Sequence, residues 1–168
     1  MRLGLYGQVR RVWAPRGVKV RQRIQIERVW RYLALAVDPR SGTLSGRWIA
    51  NMKGATIAEA LQYWRDQGIA AVVWDGARGH SGPEIRQVGM TLIQQPPYAP
   101  ELNPVERVFE ELRRKIEGRT YNSLDEKATV VEQELKKLAA NPEQVRRLAN
   151  WHWIRDAYGQ LPQKVAHS

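Results

Sequence analysis

The sequence has 168 residues, a length that suits one domain and can bury a core without covalent cross-links. It contains no cysteine, which excludes disulfides, thiolate metal sites and a cysteine nucleophile. No apolar run approaches the roughly 18 residues of a membrane span, and the start lacks a signal peptide's apolar region, so we expect a cytoplasmic protein. Lys and Arg number 27 against 17 Asp and Glu, a formal charge of +10. This excess favours a polyanionic partner, most simply nucleic acid.

The basic residues are concentrated near the N-terminus, where the first 31 residues contain a single acid, Glu27. Arginine predominates, and its planar guanidinium group suits contacts with phosphate. The alternative is a basic but otherwise ordinary protein surface. The candidates for DNA contacts in this region are Arg11, Arg16, Lys19, Arg21 and Arg23.

The first 50 residues predict strands, because apolar and polar residues alternate with a period of two. The turn signal Asp38-Pro39-Arg40-Ser41-Gly42 separates the last two of them. We interpret Asp38 as a structural turn residue. The predicted strands cover residues 9–14, 18–26, 29–37 and 43–50.

The pattern then alternates between helices and strands. Thr56 and Glu59 have the spacing of a capping box for a helix that Gly68 ends. The continuous apolar run 69–74 predicts a strand buried on both faces. This order predicts a mixed sheet with helices on its faces. The remaining predictions are a helix near 83–88, a strand at 91–94, a helix opened by Pro104, a helix from Ser123 to about Ala139 and a short helical stretch from Asn141.

Two acids occupy positions that suit chemistry. Asp75 follows the apolar strand, and the carboxyl ends of central strands are where open α/β sheets bind ligands. Glu106 lies in the first turn of the helix opened by Pro104, where Asn103 is placed to cap the helix. The alternatives are a plain turn aspartate and a partner for the helix dipole. Together, two such carboxylates can hold a hard cation such as Mg²⁺.

The loop around Glu106 carries a family resemblance. Residues 96–106, Pro-Pro-Tyr-Ala-Pro-Glu-Leu-Asn-Pro-Val-Glu, closely resemble the signature loop of DDE transposases, specifically the bacterial insertion-sequence branch of the mariner-like superfamily. That signature reads Pro-Pro-Tyr-Ser-Pro-Glu-Leu-Asn-Pro-Ile-Glu and closes on the third catalytic carboxylate. Residues 72–80 are similar to the family's apolar strand, second catalytic Asp and following His, and residues 11–17 to its Arg-x-Trp-x-Pro-x-Gly hairpin. The resemblance covers residues 1–158 and leaves 159–168 as a flexible C-terminal tail.

This resemblance implies an RNase H-like mixed sheet flanked by helices, with Asp75 and Glu106 as ligands of a two-metal Mg²⁺ or Mn²⁺ site. It also implies cleavage at transposon ends and strand transfer into target DNA, with water and then a DNA 3′ hydroxyl as nucleophile. His80 would neighbour this site and touch DNA, unless it is an ordinary exposed loop histidine. A homodimer is left open, and Trp151 and Trp153 are candidates for a dimer or DNA contact.

The N-terminus departs from the family pattern. In the family the first catalytic Asp sits in an Asp-Glu pair directly before a segment like Met1-Arg2-Leu3-Gly4-Leu5. We therefore expect an incomplete triad, a chain that is impaired by itself, and residues 2–6 that are frayed or paired with another chain. An upstream helix-turn-helix segment would be encoded separately or joined by a frameshift. The alternative function is a non-catalytic nucleic-acid-binding remnant of a transposase.

Overall fold

The computed structural model describes residues 1–7, 13–21, 23–75, 82–96 and 99–159. Among them no helix combines the length and apolar character needed to span a bilayer. The strands are β1 (Arg2–Gly4), β2 (Trp30–Asp38), β3 (Thr43–Ile49), β4 (Ala71–Trp74) and β5 (Thr91–Gln94). The helices are α1 (Gly54–Asp66), α2 (Pro83–Gln87), α3 (Pro104–Ile116), α4 (Leu124–Ala139), α5 (Pro142–Ala149) and α6 (His152–Gly159), with a 3₁₀ turn at Pro100–Leu102.

A long hairpin organises the N-terminal half. Strands β2 and β3 pair antiparallel from Tyr32 opposite Ile49 to Asp38 opposite Thr43. At the turn, the Asp38 carboxylate accepts hydrogen bonds from the Arg40 backbone N–H at 2.9 Å and the Ser41 hydroxyl at 2.7 Å. These bonds confirm the interpretation of Asp38 as a turn residue. Strand β1 pairs with the other edge of β2, so the expected fraying is not observed over residues 2–4.

The mixed character of the sheet is confirmed, but its strands divide into two sheets. Strands β1, β2 and β3 form an antiparallel sheet, while β4 and β5 form a separate parallel pair. The prediction that residues 69–74 are buried on both faces was wrong, since Val73 is 45% exposed. The reason is that β4 packs on one face only: Val72 and Trp74 contact the core of α1 and α2, whereas Ala71 and Val73 share the exposed face.

Strand β2 contributes one face to each of two apolar cores. Leu33 and Leu35 pack with α3, α4 and α5, in a core that includes Val108 and Leu112. Ala34 and Ala36 point the other way and pack against the core of α1 and α2. Side chains alternate between the faces of a strand, so this single strand separates the two helical layers.

The predicted strand at 18–26 was wrong. The described residues of this segment form no strand, and its alternating apolar side chains are exposed, from 47% at Ile24 to 76% at Ile26. The alternation of apolar and polar residues in this segment therefore does not reflect the burial of one face. The segment is tied down by Gln25, whose side-chain amide exchanges two hydrogen bonds with the backbone of Tyr121 at 2.5 and 2.9 Å. Most of the predicted strand at 9–14 lies outside the described residues.

Two further helix predictions needed correction. Helix α1 begins before Thr56 and has Lys53 at its N-cap without a side-chain cap. Thr56 instead donates its hydroxyl to the Asn51 side-chain oxygen at 3.1 Å. Helix α6 was not predicted, and residues 160–168 of the predicted tail lie outside the described part of the chain. The predicted cap of α4 is confirmed, since Ser123 accepts from the Glu126 N–H at 3.1 Å.

Gly42 fixes how the β2–β3 hairpin meets α5, and it provides a test of this packing. Both Gly42 and Gly118 have positive φ, but a Cβ at Gly42 would collide with the Pro142 backbone, whereas Gly118 faces open space. We expect Gly118→Ala to cost about 1 kcal/mol of unfolding free energy from backbone strain. Gly42→Ala should cost at least about 2 kcal/mol because the steric overlap is added. Urea unfolding of the two variants measures the difference, and equal losses would contradict this packing.

Candidate active site

A cavity of about 1350 Å³ lies between the two sheets. Residues 33–38 of β2 line one side and residues 71–75 line the other. Trp64 of α1 and Phe109 of α3 contribute apolar walls. Asp75 and Glu106 both line this cavity, although 30 residues separate them in sequence.

Gln95 links the two segments that carry these acids. Its backbone N–H donates to the Trp74 carbonyl at 2.9 Å, directly before Asp75. Its side-chain amide donates to the Leu102 carbonyl at 3.0 Å, in the turn that leads into α3. Gln95 is 7% exposed, and its partner compensates for the loss of water. Sequence reasoning missed this residue because a glutamine at the end of a strand carries no distinctive signal.

Glu106 is held by the start of α3. The Asn103 side chain accepts from the Val105 N–H at 3.2 Å, which confirms Asn103 as the N-cap. The Glu106 carboxylate is 41% exposed and lies 3.7 Å from the guanidinium of Arg113, two turns along the helix. An acid in the first turn also complements the helix dipole. The carboxylate is therefore positioned at the cavity while remaining accessible to solvent.

The α-amino group of Met1 lies beside these acids and also lines the cavity's edge. It donates to the Leu33 carbonyl at 2.6 Å. Burial lowers the pKa of this amine from 8.0 to about 6, although the negative charges of Glu106 and Asp75 act to raise it. The amine therefore interacts electrostatically with both carboxylates. No sequence motif marks Met1 for this position.

The other predicted site residues lie elsewhere. Arg16, Lys19, Arg21 and Arg23 are exposed, and none lines the cavity. Arg11 and His80 lie outside the described residues. In the C-terminal region, Arg107 stacks 4.5 Å from the centre of the Trp151 ring, which meets Trp153 edge-on at 5.9 Å. Trp153 lines the cavity, so this aromatic pair borders the site rather than a remote surface.

A model of the DDE superfamily endonuclease family matches residues 1–127. The chain belongs to the DDE endonuclease superfamily. An uncharacterized protein of Sinorhizobium fredii (strain NBRC 101917 / NGR234), y4pE/y4sA, is 28% identical over 131 residues, which is 74% of this chain and 97% of that protein.

The fold of this DDE family member is RNase H-like, as its match to one solved structure shows. The crystal structure of the Mos1 mariner paired end complex with Mn matches 95% of the chain with a TM-score of 0.65 and 14% identity. The chain spans about half of that Mos1 chain, 52%. The catalytic core domain of BIV integrase matches 68% of this chain and 71% of its own length, with a TM-score of 0.43 and 15% identity.

Two side chains of this DDE family member have the chemistry of metal ligands. Asp75 and Glu106 offer carboxylate oxygens, the ligands that Mg²⁺ and Mn²⁺ prefer. Within the described ranges, however, no group of three His, Cys, Asp or Glu residues comes together. Asp75 and Glu106 therefore offer two carboxylates at this cavity, which Asp38 also lines from the β2–β3 turn.

The buried amine of Met1 predicts a pH dependence of stability. Its folded pKa is lower than its unfolded pKa, so the unfolded chain binds more protons between about pH 6 and pH 8. The unfolding free energy should therefore rise by about 2 kcal/mol as the pH increases across this window. Urea unfolding of the 168-residue chain should show this rise relative to an N-terminally acetylated control. Identical pH profiles for the two forms would contradict burial of the amine.

Proposed function

We propose that residues 1–158 are the catalytic core of a DNA transposase from the bacterial insertion-sequence branch of the mariner-like superfamily. Such a core cleaves at transposon ends and joins them to target DNA. The observation that carries the proposal is that Asp75 and Glu106 line one cavity although they come from different elements. Membership of the DDE superfamily and a formal charge of +10 support it.

Asp75 and Glu106 would hold Mg²⁺ or Mn²⁺ in this core. Bound ions would supply charge neutralisation at the phosphodiester and activation of the attacking oxygen. Arg113 orients the Glu106 carboxylate through the 3.7 Å ion pair, and Asn103 fixes the helix end that presents it. Gln95 keeps the end of β4 next to the α3 loop, so that the two carboxylates stay together. Water and then a DNA 3′ hydroxyl would act as nucleophile.

The pairing of β1 with β2 indicates where a third carboxylate would enter. Arg2 lies opposite Tyr32, so the second residue upstream of Met1 would lie opposite Leu35. Leu35 faces the core beneath α3, the helix of Glu106. The family resemblance puts the first catalytic Asp at this upstream position. We therefore propose that the residue at this position supplies the third carboxylate of the site.

Cleavage assays on a transposon-end duplex test this assignment. A chain extended upstream with Asp at the second position before Met1 should nick DNA in Mg²⁺ or Mn²⁺. The matched extension with Asn should be slower by on the order of a hundredfold or more, as should Asp75→Asn in the Asp-extended chain. Robust cleavage by the unextended chain that Asp75→Asn abolishes would show that another acid supplies the third ligand.

The second candidate is a non-catalytic nucleic-acid-binding remnant. It is favoured by the lack of a third gathered acid among the described residues. Under this alternative the Asp-extended chain would bind DNA but leave it uncut in either metal. The extension assay therefore separates the two functions.

Under either function we expect DNA binding with little sequence preference and steep salt dependence. Replacing exposed Lys19, Arg21 and Arg23 with alanine should reduce the slope of log affinity against log salt by about 2–3, because fewer counterions are released. The control replaces three other exposed cations with alanine, which gives the same net charge: Lys53, Lys136 and Arg147. Fluorescence anisotropy with a labelled duplex measures both slopes. Equal slopes would place the DNA contacts elsewhere.

A further inference from the structure

One arginine of α3 stacks on an aromatic ring that lies just before α6. The guanidinium carbon of Arg107 is 4.5 Å from the centre of the Trp151 ring, a distance at which a cation is attracted to the face of an indole. Trp153 meets Trp151 edge-on, with the ring centres 5.9 Å apart. We use the term Arg–Trp stack for Arg107 and Trp151.

Glu110 holds the guanidinium of this stack along one edge. Its carboxylate accepts hydrogen bonds from Arg107 at 3.0 Å and from Arg114 at 3.2 Å. The hydrogen bond from Arg107 is the main reason that the pKa of Glu110 is lowered, so this carboxylate is ionised at neutral pH. The Arg107 guanidinium is therefore fixed on one face by a ring and on one edge by a carboxylate.

The outer face of the Arg107 guanidinium remains accessible. The side chain is 47% exposed although its other face lies on Trp151. The ionised carboxylate of Glu110 repels a phosphate that approaches this position, because two negative charges would lie close together. A neutral aromatic ring meets no such repulsion and can stack on the planar guanidinium. These features favour a nucleobase over a phosphate as the ligand of this face.

The Arg–Trp stack lies next to the candidate active site. Arg107 directly follows Glu106 in the first turn of α3. Trp153, which contacts the stack, lines the same cavity as Asp75 and Glu106. A base on the stack would therefore belong to a nucleotide close to the phosphodiester on which the two carboxylates would act.

The base that fits this position is unpaired. Within a duplex both faces of a base are covered by its neighbours, and only a base that has left the stack presents a face to a protein. We propose that the Arg–Trp stack binds an unpaired nucleobase of the DNA substrate on the outer face of Arg107. Trp151 supports the guanidinium from behind, and Glu110 fixes its edge. The inference rests on the proposed function, since DNA is the ligand, but no part of it requires cleavage.

The affinity of the chain for two single-stranded decamers tests the proposal. One labelled probe is a decamer of deoxyadenosine, and the other has the same phosphates but an abasic site at every position. Both are titrated in EDTA by fluorescence anisotropy, so that no metal is bound. The chain should bind the adenine decamer on the order of tenfold more tightly, because base stacking is added to the phosphate contacts.

Substitutions in the stack should remove this preference for bases. Arg107→Lys keeps the positive charge but lacks the planar face, so we expect a much smaller preference with unchanged affinity for the abasic decamer. Trp151→Leu should have a similar effect, because the guanidinium loses its support. The control is Arg47→Lys, since Arg47 also stacks on a ring, 5.0 Å from the centre of Tyr63, but does not line the cavity. This variant should keep the full preference.

Three outcomes would overturn the proposal. The first is a chain that does not discriminate between the two decamers, and the second is an Arg107→Lys variant that retains the preference. The third is an Arg107→Lys variant that loses the same factor in affinity for both decamers, since this would assign Arg107 to a phosphate contact. None of these readouts depends on metal or on cleavage, so failure here is distinguishable from failure of the proposed function.

Discussion

The paired hydrogen bonds between Met1 and Leu33 determine much of this structure. They set the register of β1 on β2. They also bring a buried amine to the carboxylates of Glu106 and Asp75. The cavity that Asp75 and Glu106 line lies between this sheet and the β4–β5 pair.

Local contacts hold the two acids of the candidate site in place. Asp75 and Glu106 are held by local devices: the strand end at Trp74, the Asn103 cap and the Gln95 bridge. These contacts lie within the described residues and hold both acids at the wall of one cavity.

The sequence predicted elements well where local chemistry decides the structure. Period-two alternation located β2 and β3, and the side-chain caps at Asn103 and Ser123 located α3 and α4. The sequence-based predictions failed where the structure depends on pairing between segments that are distant in sequence. The alternation at 18–26 predicted a strand, but the apolar side chains described there are exposed. The apolar run of β4 indicated burial on both faces, which depends on a neighbour that the pattern cannot reveal. Met1 and Gln95 carry no motif and became visible through their contacts alone.

A crystal structure of the chain soaked in Mn²⁺ tests this account most directly. We predict that Mn²⁺ binds in the cavity between the sheets with the carboxylates of Asp75 and Glu106 as ligands. Mn²⁺ that is absent from this cavity, or that is bound there by neither carboxylate, would contradict the account.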